Sequence, residues 1–511
     1  MSVLKMSVLK IFQSVILALA AYTLSASPPA AQPQSTGPVQ SVPLLKLGQG
    51  LFLHLSDIHF DPFDAQGQDT QNLVDSLMKA KDVSEWVALF SALPRQQFPS
   101  SGADTNYPLL ISALKAAGQH GTIDYVVFTG DYLRHNFVST ANMYRLNDDK
   151  TRSEFAARSV EFVNLMIRKY VGGAGKEVPL VAAIGNNDSA CNDYQLSPPN
   201  GTGSHATDEP FLDGVGAALL ANNPTSRGDF EKGGYYLIRH PNPNVRNHDF
   251  VVLSVFWARN YEIKCGPTSF PNACDSFNGI PDDTPGGAAL CWLSDTLKVE
   301  RQAGRKVTLV MHIPPGVDGF AHSQFWKSQH ATGFGNIANA YRDILNYGYA
   351  GHTHEDEFRV LADQQGAAHL AVHMAPSVTA WRGNWPAFTV FTYDTTSGDA
   401  VDYVTYRLQG GSQRGDGTAA KWNQIYAFSQ TYGQYGIDKY DLVSLKKLAD
   451  VIDPFPFQQQ NSVCSDFMTY YNYNGTTAAT CTRNIACALN NPAQTAYDAC
   501  NSPGGNSPPR P

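Results

Sequence analysis

The sequence is short of positive charge. Its 37 Lys and Arg stand against 45 Asp and Glu, a formal net charge of -8. A nucleic-acid binder needs dense Lys and Arg along one surface, so the acidic balance argues against nucleic acid as the main partner. Phosphate handled by this chain must meet positive charge supplied in some other way. No Cys-x-x-Cys pair occurs among the eight cysteines, which argues against a structural zinc knuckle and favours disulfides. After residue 24 no apolar run is long enough to cross a bilayer, a task that takes about 20 residues. Glycine and proline are near average usage and 43% of the residues are hydrophobic, which excludes wholesale disorder and fibrous architectures.

What is present divides the chain into four stretches. A duplicated Met-Ser-Val-Leu-Lys is followed by an apolar run from Ile11 to Leu24 and by small residues Ser25, Ala26 and Ser27. The run is short for a membrane span and suits a cleaved export signal, so residues 1–26 are expected to be a signal peptide. Residues 27–44, broken by Pro28, Pro29, Pro33, Pro38 and Pro43, are expected to be a linker. Residues 45–408 carry a repeating pattern of strands and helices, and a Gly-rich loosening near Gly410 marks the start of an extension over 409–511. That extension holds Cys464, Cys481, Cys487 and Cys500, which are expected to pair among themselves. A secreted, periplasmic or lumenal location fits both the signal and the cysteines.

Within 45–408, short β-type runs each end in polar residues. Leu51–Leu55 leads to Ser56-Asp57, and Tyr125–Phe128 to Thr129-Gly130-Asp131. Val178–Ile184 leads to Gly185-Asn186-Asn187-Asp188, Val307–Met311 to His312, and Tyr349-Ala350 to Gly351-His352-Thr353-His354. Further strands are expected at 370–373, 388–393 and 401–406. Helical spacing recurs over 153–170, over Ile337, Tyr341, Ile344 and Leu345, and over Leu442, Leu445, Leu448 and Val451. The fold class expected is α/β, a layered β-sandwich flanked by helices, with its site along one sheet edge and a small, mainly helical C-terminal extension.

Five strand ends deliver metal-capable side chains. Asp57 and His59 are two apart, as are His352 and His354, so in an extended chain each pair shares a face. With Asp131, Asn186 and His312 they make seven candidates: two carboxylates, one amide and four imidazoles. That mixture suits Zn, Mn or Fe better than Ca or Mg. Seven donors are too many for one tetrahedral ion and suit two ions sharing a bridge, roughly 3.5–4 Å apart. Asp131 is central to the set. His54, His369 and His373 lie on strands and read as structural, whereas Trp381, Arg382 and Trp385 can line a substrate mouth.

The blocks Asp57-Ile58-His59, Gly130-Asp131, Gly185-Asn186-Asn187-Asp188, Met311-His312 and Gly351-His352-Thr353-His354 resemble those of the calcineurin-like metallophosphoesterases. His135, Ile313-Pro314-Pro315-Gly316 and Glu355-Asp356-Glu357-Phe358 further resemble acid sphingomyelinase and its phosphodiesterase relatives. The resemblance implies a metallophosphoesterase fold. One metal would be held by Asp57, His59, Asp131 and His354, and the other by Asp131, Asn186, His312 and His352. Water between the ions, zinc most naturally, would attack phosphorus, and His135 would protonate the departing oxygen. Where sphingomyelinases carry a histidine after the ligand asparagine, this chain has Asn187, suited to hydrogen-bond a phosphate oxygen. The Gly-Asn-Asn-Asp form resembles fungal endopolyphosphatases, and the short linker leaves no room for a saposin-type lipid-presenting domain. The expected substrates are small: a phosphodiester, a nucleotide, a lipid head group or polyphosphate. The alternatives are a phosphomonoesterase or endopolyphosphatase at the same two-metal site, and a non-catalytic metal-binding protein.

Overall fold

The computed structural model describes residues 45–100, 102–172, 177–197, 209–263, 284–363, 365–409, 421–453, 461–471 and 482–502. The expected signal peptide and linker, together with Cys265, Cys274 and Cys481, lie outside the described residues.

In chain order the strands are β1 (Gln49–Leu55), β2 (Ile123–Phe128), β3 (Leu180–Ala182), β4 (Tyr236–Arg239), β5 (His248–Val252), β6 (Lys306–Val310) and β7 (Val317–Asp318). There follow β8 (Ser323–Gln324), β9 (Leu345–Ala350), β10 (Glu357–Ala362), β11 (Ala368–Met374), β12 (Ala387–Asp394), β13 (Ala400–Gln409) and β14 (Lys421–Ala427). One six-stranded sheet has the order β14-β13-β12-β1-β2-β3 and a second the order β10-β11-β9-β6-β5-β4, while β7 and β8 form a small hairpin.

The direction of the strands decides where the chemistry goes. β1, β2 and β3 are parallel, and so are β5, β6, β9 and β11. Parallel neighbours need crossovers, commonly helical. These are supplied by Tyr107–Ala117, Asp149–Val171, Pro285–Gln302 and Ser328–Ala340. The longest, Asp149–Val171, starts where Asp148 accepts from the Thr151 amide and buries Phe155, Phe162, Val163, Met166 and Ile167. A carboxylate at that position satisfies an amide with no intrahelical partner.

The inner faces of the sheets meet through aromatic rings. Phe52 stacks between Tyr125 and Phe391 at 4.9 and 4.8 Å, and meets Tyr349 of the other sheet edge-on at 5.4 Å. Such pairs add about 0.5–1.5 kcal/mol beyond area burial. His54 and His373 sit in this interior, Nδ1 to Nδ1 at 3.1 Å, with His54 Nε2 3.2 Å from Thr129 Oγ1. Both are structural, as their strand positions suggest.

Two sequence expectations are corrected. The apolar set Ile337, Tyr341, Ile344 and Leu345 is not one helix: the helix stops at Ala340, Tyr341 caps it, and Leu345 opens β9. Apolar spacing over one turn matches a helix end and a strand start equally well. The run 178–184 is a strand only over Leu180–Ala182, the part that pairs with β2.

After residues 410–420, β14 pairs antiparallel with β13, so the first sheet runs beyond residue 408. Helices Leu442–Ile452, Arg483–Asn490 and Gln494–Asn501 follow. Asn484 Nδ2 donates to the Gly319 carbonyl, and the Gln324 amide donates to Gln494 Oε1. This clasps the β7–β8 hairpin, which begins five residues after His312. A disulfide joins Cys487 and Cys500 across 13 positions, two of the four C-terminal cysteines.

Candidate metal centre

The loops after β1, β2, β3, β6 and β9 converge on one edge of the sandwich. The two sheets touch closely there. A Cβ on Gly351 would collide with Ser56 Oγ and Asp57 Oδ2, and one on Gly185 with the Asp131 carboxylate. Only glycine lets the β9 and β3 loops come this near the carboxylates.

Local backbone aims the donors. Asp57, His59, Asp131, His352 and His354 all have positive φ, between 46° and 76°. The two-residue spacing therefore does not work through strand pleating, the expectation drawn from the sequence. Each side chain is turned by a left-handed residue beyond its strand. Such conformations cost about 1–3 kcal/mol each in a residue with a Cβ and gather at functional sites.

Asp131 stands in the middle. Its Oδ2 lies 3.3 Å from His59 Nε2 and 3.2 Å from His312 Nε2. On one side, His354 Nε2 is 3.3 Å from Asp57 Oδ1 and 3.2 Å from His59 Nε2. On the other, His312 Nε2 is 2.9 Å from Asn186 Oδ1. His352 packs beside His312, ring centroids 5.2 Å apart, with Nε2 3.3 Å from the Tyr194 hydroxyl. The seven residues singled out in the sequence thus gather at one point.

The donor chemistry fits cations. His59 Nδ1–H donates to the Leu133 carbonyl at 3.0 Å, and His312 Nδ1–H to the Thr129 carbonyl at 2.7 Å. Those bonds fix the tautomers and leave each Nε2 lone pair facing inward. Two imidazole Nε2 atoms 3.2 Å apart, beside two buried carboxylates, give a cation ring nitrogens and anionic oxygens within reach of one point. Burial opposes protonation, yet the Asp131 charge holds His59 and His312 up at about 9. Burial and then the His312 charge draw His352 down to about 3. Divalent ions would answer the same carboxylate field. Two subsets around a shared Asp131 suit two ions: Asp57, His59 and His354 on one side, and Asn186, His312 and His352 on the other.

Several partners were not legible in the sequence. The Asn186 amide nitrogen donates to Asp193 Oδ1 at 2.7 Å, which turns its oxygen toward His312. Asp188, inside the Gly-Asn-Asn-Asp block, accepts from the Asp131, Leu133 and Gly185 amides at 2.7–2.9 Å. Asn187, expected to face a phosphate oxygen, is instead directed at Asp131, its backbone N–H donating to Oδ1 and its Nδ2 to Oδ2, both at 2.9 Å. His135 Nδ1 lies 2.6 Å from Asp104 Oδ1, and its ring is sandwiched between His59 (3.8 Å) and Trp381 (4.3 Å). Burial, then the His59 charge, lowers the His135 pKa, and Asp104 offsets only part of that fall. Asp188 sat in a recognisable block; Asp104 and Tyr194 had no local pattern to mark them.

A two-sheet α/β sandwich that pools imidazoles, carboxylates and an amide at its strand ends is the scaffold of a metal-dependent hydrolase. Residues 50–356 match the family model for calcineurin-like phosphoesterase, and the chain belongs to that family of phosphoric ester hydrolases. It is similar to sphingomyelin phosphodiesterase B of Dictyostelium discoideum, 25% identical over 93% of this chain and 67% of the relative. It is also similar to a human cyclic GMP-AMP phosphodiesterase, 24% identical over 88% of this chain and 90% of the relative. An endopolyphosphatase of Schizosaccharomyces pombe is 28% identical over 60% of this chain and 48% of the relative.

Proposed function

We propose that the protein is an exported hydrolase of small phosphodiesters that works with two divalent ions, zinc the best fit to the donors. The position of Asp131 Oδ2 between His59 Nε2 and His312 Nε2 carries this reading. Asp57, His59, Asp131 and His354 would hold one ion, and Asp131, Asn186, His312 and His352 the other. Bound ions supply Lewis-acid charge for the phosphoryl oxygens and acidify water. The chain's own residues do the rest. Asn187 holds both oxygens of Asp131, so the bridge cannot rotate. Asp104 fixes the His135 ring and favours its protonated form, and His135 Nε2 delivers that proton to the departing oxygen. Trp381 covers the other face of the ring. In this reading residues 45–408 carry every proposed catalytic and metal-binding side chain, and β14 extends their first sheet while the C-terminal helices clasp the β7–β8 hairpin.

Removing Asp131 tests the assignment. Asp131→Ala is expected to lose bound metal, measured by elemental analysis, and at least about 100-fold in hydrolysis of bis-p-nitrophenyl phosphate. Two ions retained at full occupancy in Asp131→Ala would sink the two-metal assignment. Endopolyphosphate cleavage is the second reading, favoured by Asn187. A turnover panel of sphingomyelin, bis-p-nitrophenyl phosphate, p-nitrophenyl phosphate, ATP and polyphosphate separates the two.

A further inference from the structure

Glu161, Asn164, Leu165 and Arg168 recur at three- and four-residue spacing on the helix Asp149–Val171, so they share one of its faces. That face is not closed by its neighbours. It lines a cavity of about 260 Å³ together with Asp82 and Val83, which follow the helix Thr70–Lys79, and Ala218 of the helix Glu209–Leu219. Asn164 is its floor, only 1% exposed. The amide oxygen of Asn164 accepts from the Tyr132 hydroxyl at 2.9 Å, which joins the floor to the chain that carries Asp131. Its Nδ2 has no hydrogen-bond partner among the described residues. With Oδ1 committed to Tyr132 in the core, Nδ2 is the end of the amide left for the cavity.

A buried donor left unpaired costs about 1–3 kcal/mol, so native proteins seldom keep one without an occupant for it. The charges around this donor are sorted by sign. Arg168 lies one turn beyond Asn164 on the same face, its Nη1 and Nη2 at 3.3 and 3.5 Å from the Ala218 and Leu219 carbonyls. Those bonds are long for N–H donors and leave the guanidinium capacity for an anion. Glu161 lies one turn before Asn164. Burial raises its carboxyl, Arg158 offsets part of the rise, and the Asp82 charge adds to it, so Asp82 and Glu161 stand close enough to repel. Glu177 adds a third carboxylate at the exposed rim.

A bare cation would leave the Asn164 N–H unpaired, and a bare anion would face Asp82 and Glu161. An occupant with both charges answers every group. We propose that this cavity binds the zwitterion of an apolar amino acid, a ligand site separate from the metal centre. The ammonium meets Asp82 and Glu161, the carboxylate accepts from Asn164 Nδ2 and the Arg168 guanidinium, and the side chain lies on Val83, Leu165 and Ala218. The volume agrees with a small ligand, since sites for drug-sized molecules span about 300–1,000 Å³.

The test titrates the full-length protein with L-leucine, with isopentylamine (leucine without its carboxylate) and with 4-methylpentanoate (leucine without its ammonium), followed by saturation-transfer NMR. Leucine is expected to bind at least about tenfold more tightly than either fragment. Glu161→Gln should weaken leucine and spare 4-methylpentanoate, whereas Arg168→Gln should weaken leucine and spare isopentylamine. Both side chains are half-buried, and an unchanged Tm in each variant shows that the fold is kept. Asn164→Asp retains an acceptor for Tyr132 but turns the floor from donor to anion, so leucine binding should be lost. That loss also separates the cavity from chelation of leucine at the metal centre. No saturation transfer to leucine would overturn the proposal and leave the Asn164 amide to water alone. A fragment binding as tightly as leucine, or leucine binding Asn164→Asp as it binds the wild type, would overturn it equally.

Discussion

Asp104 grips His135 twice, through Nδ1 at 2.6 Å and through the backbone amide at 3.0 Å. One carboxylate therefore fixes both the ring and the chain that carries it. If His135 gives its proton to the leaving oxygen, His135→Ala should cost about 100-fold on esters of poor leaving groups such as alkyl phosphodiesters. On p-nitrophenyl esters, whose leaving group needs no proton, it should cost only a few-fold. Asp104→Asn should follow in the same direction and by less. Equal losses on the two ester types would remove this role. His135 was visible from its spacing after Asp131. Asp104 was not, because it arrives from 31 residues upstream on a loop with no periodic pattern.

At the scale of elements, apolar runs and the polar residues behind them marked every strand that feeds the centre. Those runs are legible because buried parallel strands are continuously apolar. Pairing beyond them was not: nothing in Lys421–Ala427 announces an edge partner for β13, and no spacing rule tells the end of Ser328–Ala340 from the start of β9. The hairpin after His312 was equally hidden, since β7 and β8 have two residues each. Its support comes from the C-terminal helices, which the Cys487–Cys500 disulfide ties together. A loop of this length is worth about 3 kcal/mol. Replacing both cysteines by serine should lower the denaturant midpoint accordingly and weaken metal retention measured by chelator competition. An unchanged midpoint would mean that the tail braces nothing.

For the whole molecule, acid is the revealing variable. His240 packs against Phe250 and Tyr125 inside the sandwich. Burial, with the His248 charge adding, lowers it from 6.5 to about 3. His120, stacked on Tyr406 at 3.7 Å, falls to about 4 by burial. Both are neutral when folded and bind protons near pH 6.5 when unfolded. Their contribution to stability is therefore complete above pH 6.5 and is lost as the pH falls toward 4 and then 3. His240→Phe, which keeps the ring packing, should flatten the fall in Tm between pH 7 and pH 4. Parallel curves for variant and wild type would discard this account.

The left-handed backbone at five of the seven donors has a last consequence. The centre is bent into shape by the fold itself, and that bend opposes folding at every one of those positions. Catalysis and stability therefore pull these residues in opposite directions. A descendant of this chain freed from turning over phosphate would drift toward glycine or asparagine at positions 57, 59, 131, 352 and 354. It would grow more stable as it did so, and a relaxed backbone at these corners would be the lasting trace of an abandoned activity.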